Sequence, residues 1–138
     1  MEAFDHSGWL WGLSLIVLTM AIHATAIVIL AFVLVSIRMR LESRHLKVGS
    51  LIAVAICVIG VTGLLLAVLH GIECAIWAVA YLRLGAFDSA MDALFYSLDS
   101  MSTRGTSGLT LQRPWQMMGA LEAVNGMLLF GVSTVLHL

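Results

Sequence analysis

The sequence predicts an all-α integral membrane protein with three transmembrane helices and one short helix that enters the membrane without crossing it. Two observations carry this prediction. The 138 residues are 61% hydrophobic and only 11% charged, whereas a soluble domain carries about a quarter charged residues. In addition, three long apolar runs accompany a fourth apolar segment that is too short to cross a bilayer and precedes a polar, glycine-containing stretch.

The first transmembrane segment is predicted within residues 1–37, with its apolar run from about residue 8. Because about 20 apolar residues cross the hydrocarbon core, this longer run spans it with tilt or protrudes. Trp9 and Trp11 suit the interfacial layer at its start. His23 lies in the middle of the run. An intramembrane histidine of this kind is expected to face protein and bond a neighbour, with a proton or metal role as the alternative.

A basic segment, residues 38–47, holds four of the seven Lys and Arg residues. Short loops rich in Lys and Arg remain on the cytoplasmic side of a membrane. We therefore expect a cytoplasmic loop here, with the N-terminus outside and the C-terminus inside. Binding of RNA or lipid by the basic cluster is the alternative, although topology alone explains the charges.

The second run predicts an outer helix over residues 48–83. It exceeds a bilayer span, so its outer end is expected to project or bend. His70 and Glu73 stand at i and i+3 on one face. Such a pair can ligate a metal inside a bundle, but the remaining ligands are missing. We favour a structural hydrogen bond between the two at a subunit contact, and expect no bound metal.

A short helix is predicted over residues 88–101, with Asp88 as its N-cap. Its apolar part of roughly 13 residues amounts to about 20 Å, which suits a re-entrant half-helix. The polar loop 102–111 follows. Pro114 then suits the first turn of the last helix, predicted over residues 114–138. Irregular backbone at membrane depth persists only where it is buried in protein or lines a water-filled path.

The last helix carries a stripe of small and polar residues along one side, which lipid would not tolerate and which is expected to face protein or a cavity. The stripe consists of Gly119, Glu122, Asn125, Gly126 and Ser133. The opposite side suits lipid and consists of Leu121, Val124, Leu128 and Val135.

Helix, half-helix, irregular loop and helix together predict a pore module. The C-terminal end of a half-helix carries negative partial charge, which favours cations at the membrane centre. Glycine in the loop lets carbonyl groups turn toward an axis. One copy cannot enclose an axis, so several chains are expected to assemble into a closed ring.

The segments FDSAMDALFYSLDSMSTRGTSGLTL and RPWQMMGALEAVNGMLLFGVST, with HGIE and IWAVAYLRLG before them, resemble parts of the small bacterial ion channels of the potassium-channel pore-loop superfamily. They resemble, in that order, the pore helix with its filter, the inner helix and the outer pore helix. The resemblance covers roughly half the chain. It implies a homotetramer in the bacterial inner membrane that passes potassium or unselected monovalent cations, with no other cofactor, no nucleic acid and no soluble substrate.

The filter-like loop departs from the family pattern T-V-G-Y-G-D. In its place, after Ser102, stand Thr103, Arg104, Gly105, Thr106, Ser107 and Gly108. Thr103 and Gly105 keep the pattern. Ser107 replaces a glycine that adopts positive φ freely, whereas serine does so at a cost. A complete ring of filter carbonyls, and potassium selectivity with it, therefore does not follow from the resemblance.

Arg104 replaces the valine of the pattern, whose side chain in the family points back toward the pore helix. Asp99 stands on that helix, where relatives hold an acid paired with the filter's terminal acid, here Gly108. We expect Asp99 and Arg104 to pair behind the loop, because a buried unpaired arginine is very costly. The alternative places Arg104 on the axis, where it repels cations. Glu122 and Asn125 are expected to support the filter.

The sequence leaves two alternatives to ion permeation open. One is a non-conducting protein of the channel fold that serves as a scaffold or sensor. The other is a pore for anions or small solutes that is governed by a ring of Arg104 side chains. An enzyme is the least expected reading, because the apolar runs hold no credible pair of nucleophile and base.

Overall fold

The computed structural model describes residues 6–43, 47–105 and 108–134. All regular secondary structure in these ranges is helical, which confirms the all-α prediction. The helices are α1 (His6–Glu42), α2 (Val48–Arg83), α3 (Ala90–Met101) and α4 (Gln116–Ser133).

Two of the helices, α1 and α2, are long and apolar enough to cross a membrane. With 37 and 36 residues, each is about 55 Å long. Only 17% and 6% of their most apolar windows are buried in the chain, whereas the core helix of a soluble protein is mostly buried. Large exposed apolar surfaces mark contact with lipid or another protein. The two helices therefore support association with a membrane.

The basic segment 38–47 is only partly a loop. α1 continues to Glu42, and Arg38 Nε lies 2.9 Å from Glu42 Oε1, one turn further along the exposed surface. Opposite charges four residues apart support a helix, so the first half of the basic segment extends α1. Residues 44–46 lie outside the described ranges.

The N-cap of α3 is Ser89 rather than Asp88. Ser89 Oγ accepts a hydrogen bond from the backbone N–H of Asp92 at 3.3 Å, which satisfies one of the unpaired donors of the first turn. α3 therefore begins two residues later than predicted and has 12 residues. The bounds predicted for the outer helix agree with those of α2.

The contacts between helices fix their directions. Gly8 of α1 lies against the carbonyl oxygen of Pro114, just before α4, and His23 contacts Ser133 at the far end of α4. α1 and α4 therefore run parallel. α2 runs in the opposite direction, because Glu73 lies at the level of His23 and Ser133 whereas Tyr81, later in α2, bonds Glu122, earlier in α4. α3 packs between α2 and α4.

Aromatic side chains form the apolar part of the core between α2, α3 and the start of α4. The rings of Tyr81 and Tyr96 meet edge to face at 5.5 Å, and Phe87 meets Tyr81 in the same way at 5.9 Å. Trp77 and Met118 are fully buried beside them. Edge-to-face contacts of this kind add to the burial of apolar surface.

Two glycines of α4 let α3 approach closely. A Cβ atom at Gly126 would overlap the carbonyl oxygen of Met101, and one at Gly119 would overlap the Tyr96 hydroxyl. The whole small and polar stripe of α4 is buried, as predicted. On its other side Val124 and Leu128 are exposed. Leu121 is not a lipid-facing residue as predicted, because its side chain packs on Gly12 of α1.

Candidate functional site

The backbone turns sharply after α3. The N–H of Arg104 donates to the carbonyl of Asp99 at 3.0 Å, and that of Thr103 donates to Ser100 at 2.9 Å. This is the Schellman pattern of helix ends, which normally places glycine at the left-handed position. Thr103 holds that position with φ +57°, a sterically unfavourable conformation for a β-branched residue. The chain therefore leaves α3 through a strained residue.

Gly105 and Gly108 continue in the left-handed region, with φ +63° and +73°. Glycine adopts this region without a steric penalty. Thr106 and Ser107 lie outside the described residues, and so does the part of the predicted carbonyl ring that they form. Ser102 is the C-cap of α3, and its hydroxyl donates to the carbonyl of Asp99 at 3.1 Å.

Arg104 folds back onto α3. Its Nε lies 2.6 Å from Asp99 Oδ1, and the two side chains are 57% and 3% exposed. The guanidinium carbon lies 5.9 Å from the ring centroid of Phe95, within the range of a cation–π contact. This is the geometry that the pairing hypothesis expects within one chain. Asp99 is buried and Arg104 is half exposed, so the pair lies at the surface of the single chain.

A first buried polar cluster centres on Glu122 and joins three helices; we call it the glutamate cluster (Tyr81, Ser97, Glu122). The Tyr81 hydroxyl of α2 donates to Glu122 Oε2 at 2.7 Å. Ser97 of α3 bonds Glu122 Oε1. All three side chains are fully buried. Glu122 therefore fixes α3 against α2 and α4, and its support of the filter stays a prediction.

The hydrogen count of this cluster indicates which groups donate. Ser97 Oγ also lies 2.9 Å from the Cys74 carbonyl, yet a serine hydroxyl has a single hydrogen to give. If that hydrogen goes to Cys74, a hydrogen on Glu122 itself completes the bond to Ser97, while its other oxygen accepts from Tyr81. Every polar atom of the cluster then has a partner.

A second buried polar cluster centres on His23; we call it the histidine cluster (His23, His70, Glu73, Ser133). His23 Nδ1 lies 2.8 Å from Glu73 Oε1, and His23 Nε2 lies 3.0 Å from Ser133 Oγ. Ser133 gives its own hydrogen to the carbonyl of Leu129 at 3.0 Å. It must therefore accept from His23, which places a hydrogen on Nε2. The imidazole links α1, α2 and α4.

The predicted hydrogen bond between His70 and Glu73 is wrong. His70 Nδ1 donates instead to the carbonyl of Leu66 at 2.9 Å, because helical side chains tilt toward the preceding turn. Glu73 turns toward α1 and bonds His23. The His23 and His70 rings meet edge to face at 5.2 Å. Two atoms of the cluster, His70 Nε2 and Glu73 Oε2, are buried without a hydrogen-bond partner.

The side chain of Asn125 bonds α1, and its predicted support of the filter stays a prediction. Its Nδ2 donates to Thr19 Oγ1 at 2.9 Å, and the threonine hydroxyl donates in turn to the carbonyl of Leu15 at 2.8 Å. All of these side chains are buried. Asn125 therefore holds α4 against α1.

A cavity of about 470 Å³ connects the histidine cluster with the loop. It is bounded on one side by His70 and on the other by the residues that end α3. Its wall includes Cys74, Met101, Ser102, Thr103 and Gly126.

The fold and the site together define an all-helical protein with two helices able to cross a membrane and with its polar side chains gathered between the helices. Comparison of the chain with protein-family models, with curated proteins and with solved structures finds no match in any of the three.

Proposed function

We propose that the protein is one subunit of a membrane pore that passes monovalent cations, with α2, α3, the following loop and α4 as the pore module. The observation that carries the proposal is α3. Its 12 residues amount to about 18 Å, too short to cross a bilayer. It is followed by three residues in the left-handed region and then by another helix.

The strain at Thr103 supports a functional loop. Non-glycine residues in the left-handed region persist only where the surroundings impose the conformation, and they cluster at functional sites. Thr103 lies directly at the C-terminal end of α3, where the helix dipole places negative partial charge. That partial charge suits a passing cation.

In this proposal α4 is a third span beside α1 and α2, and the N-terminus lies outside a bacterial plasma membrane. The antiparallel directions of α2 and α4 and the basic segment at 38–47 support this arrangement. Thiol labelling tests it in variants that lack Cys57 and Cys74 and carry one new cysteine, near residue 5 or at residue 45. Reaction of the residue-45 variant with an impermeant reagent from outside would contradict the topology.

The pore requires several copies, and the resemblance to potassium channels favours four. Apolar side chains of α3 and α4 are exposed in the single chain and are expected to be covered by neighbouring copies; they are Met91, Phe95, Leu98, Met127 and Phe130. Native mass spectrometry of the purified protein is expected to give four chains. A stable monomer would remove the basis for the pore.

Ion flux from liposomes tests the function itself. Wild-type protein is expected to carry potassium and sodium down a gradient, with a reversal potential that identifies cations. Gly105→Ala is expected to reduce the flux, because alanine at φ +63° is strained although a Cβ there meets no atom within 4 Å. Gly60→Ala is the matched control, since a Cβ there also meets nothing and the helix accepts it. Absence of flux from wild-type protein would favour a non-conducting scaffold or sensor.

The half-exposed position of Arg104 favours one second candidate, an anion or small-solute pore with arginines at its constriction. In that case the reversal potential has the opposite sign. Arg104→Met would then abolish anion flux, whereas in the cation pore the same change leaves the selectivity for cations intact.

A further inference from the structure

Three side chains that bind metals well meet at the centre of the histidine cluster. His23 from α1, and His70 and Glu73 from α2, each offer a ligand atom, and these atoms lie within 4.8 Å of one another. His23 and Glu73 are fully buried. Imidazole and carboxylate are ligands of first-row transition metals, zinc above all.

Two polar atoms of these three side chains have no partner in the structure. His70 Nε2 and Glu73 Oε2 are both buried without a hydrogen-bond partner. Buried polar atoms are nearly always paired, and an unpaired one costs about 1–3 kcal/mol. A cation between the two atoms would satisfy both.

Each histidine ring makes one hydrogen bond through the nitrogen that would not bind the metal, as metal-bound histidines usually do. Metal-bound histidines usually donate their second ring N–H to a carbonyl or another oxygen, which fixes the tautomer. His70 donates Nδ1–H to the Leu66 carbonyl at 2.9 Å. His23 donates Nε2–H to Ser133 Oγ at 3.0 Å. The remaining nitrogens, His70 Nε2 and His23 Nδ1, are thereby left for an ion.

From this arrangement we propose that His23, His70 and Glu73 bind a divalent transition-metal ion, with Zn²⁺ as the best fit to two imidazoles and one carboxylate. Ligand atoms around tetrahedral zinc lie about 3.3 Å apart, given Zn–N bonds of about 2.0–2.1 Å. Because the three ligand atoms lie within 4.8 Å of one another, the longest of their separations needs to shorten by at most about 1.5 Å. The ion takes the place of the hydrogen between His23 Nδ1 and Glu73 Oε1, so binding releases a proton.

The site has an entrance and a structural consequence. His70 lines the cavity of about 470 Å³, which gives an ion a path to the buried ligands. Because one ligand comes from α1 and two come from α2, the metal clamps these helices together.

The test uses the full, untagged chain, purified in mild detergent and stripped of metal with a chelator. Zn²⁺ binding is measured by competition with a metal-sensitive dye and by elemental analysis. Co²⁺ is used as a spectroscopic probe, because its visible absorption reports tetrahedral geometry. We expect one ion per chain, a rise of the unfolding temperature with Zn²⁺, and a tetrahedral Co²⁺ spectrum.

Two variants are expected to lose the site: His70→Ala and Glu73→Gln. Each is expected to weaken Zn²⁺ binding at least 100-fold and to abolish the Co²⁺ spectrum. Ser133→Ala, which removes an outer hydrogen bond, is expected to weaken binding 10–100-fold. His45→Ala is the matched control, a histidine change at a position outside the described residues, and should bind like wild type.

Unfolding with and without Zn²⁺ separates a metal site from a packing role. His70→Ala also removes the hydrogen bond to Leu66 and the ring contact with His23, so its metal-free unfolding temperature serves as its own baseline. Zn²⁺ is expected to raise the unfolding temperature of wild type and to leave that of His70→Ala unchanged. The proposal is wrong if wild-type protein binds no Zn²⁺ or if His70→Ala binds as tightly as wild type. It is also wrong if His45→Ala loses as much affinity as Glu73→Gln.

Discussion

Two parts of this molecule, both built of largely apolar helices, differ in the side chains that they bury. The open half comprises residues 24–42 of α1 and 48–66 of α2, and within it the structure buries only Ile27 and Thr62. The packed half comprises the rest of α1 and α2 with α3 and α4. There the buried set includes eight polar or charged side chains, which are Thr19, His23, Glu73, Ser97, Asp99, Glu122, Asn125 and Ser133.

The difference shows what holds such helices together. In lipid, apolar side chains gain nothing by turning toward another helix, because lipid tails are equally apolar. The open half has mainly such side chains and buries only two residues. In the packed half, interhelical hydrogen bonds and close glycine contacts determine which helix meets which. Polar residues therefore specify this fold, and apolar residues supply the surface that faces lipid.

The largest effect is expected for Gly126→Ala in the packed half. The new Cβ would overlap the Met101 carbonyl oxygen, a backbone atom that cannot rotate away. We expect a loss of about 3 kcal/mol in the free energy of unfolding, at the upper end of overpacking. Gly131→Ala, on the same helix with no atom within 4 Å of its Cβ, is the control. It should be neutral or stabilise by about 1 kcal/mol, as read from unfolding in mixed micelles. Equal losses in both variants would mean that α3 and α4 do not approach at Gly126.

A loss of about 2 kcal/mol is expected for Glu122→Leu, which leaves the buried Tyr81 hydroxyl without an acceptor. Glu122→Gln is the matched control. Its amide donates to Ser97 and its carbonyl accepts from Tyr81, so the hydrogen bonds of the glutamate cluster persist. We expect Glu122→Gln to unfold within about 0.5 kcal/mol of wild type. If it is as damaging as Glu122→Leu, the cluster depends on the negative charge and the assignment of hydrogens is wrong.

A smaller and asymmetric effect is expected for the Asp99–Arg104 pair. Arg104→Met leaves a buried carboxylate without its guanidinium, whereas Asp99→Asn leaves an arginine that water already reaches. We expect the free energy of unfolding to fall by about 2 kcal/mol in Arg104→Met and by about 1 kcal/mol in Asp99→Asn. Both losses are below the range for fully buried pairs, because Arg104 is 57% exposed. The double variant should lose less than the sum of the two single losses. Additive losses in a thermal-unfolding cycle would rule out the pair as a stabilising contact.

The smallest effect is expected in the open half. Ile59 is 64% exposed, and Ile59→Ala should change the free energy of unfolding by less than about 0.5 kcal/mol. The same truncation at the fully buried Leu129 should cost about 2–4 kcal/mol. A loss at Ile59 as large as that at Leu129 would show that another chain, rather than lipid, covers the open half.

Much of this arrangement can be predicted from local features of the sequence. The bounds of α2 follow from an apolar run between Lys47 and Arg83. The buried face of α4 follows from Glu122 and Asn125, which lipid excludes. The contact between Asp99 and Arg104 can be foreseen because the resemblance to pore-loop channels turns the side chain at position 104 toward the preceding helix, where Asp99 stands, and a stranded arginine needs a nearby acid.

The partners of the remaining polar residues could not be predicted. His23 is 50 positions from Glu73, and Asn125 is 106 positions from Thr19. The sequence requires each to have a partner, but several helices offer suitable hydroxyls and carboxylates. Tyr81 and Ser97 are not predicted as partners of Glu122, because both lie in apolar segments. A serine inside a short apolar helix nevertheless indicates a buried hydrogen bond. Thr103 stands where a helix end predicts glycine, so its left-handed backbone was not foreseen either.

If α4 crosses the membrane as proposed, its polar stripe constrains the order in which the chain can be assembled there. An acidic residue in mid-helix opposes insertion by about 2.5–3.5 kcal/mol, and α4 carries Glu122 with Asn125 close by. The residues that bond the polar side chains of α4 include Thr19, His23 and Tyr81. They belong to α1 and α2, which emerge from the ribosome earlier. α4 thus reaches a membrane that already holds the groups it must bond. A circular permutant that begins with α4 would present this helix before any of its partners has been made. We expect the insertion machinery to reject α4 in that permutant, although the sequence of the helix is unchanged.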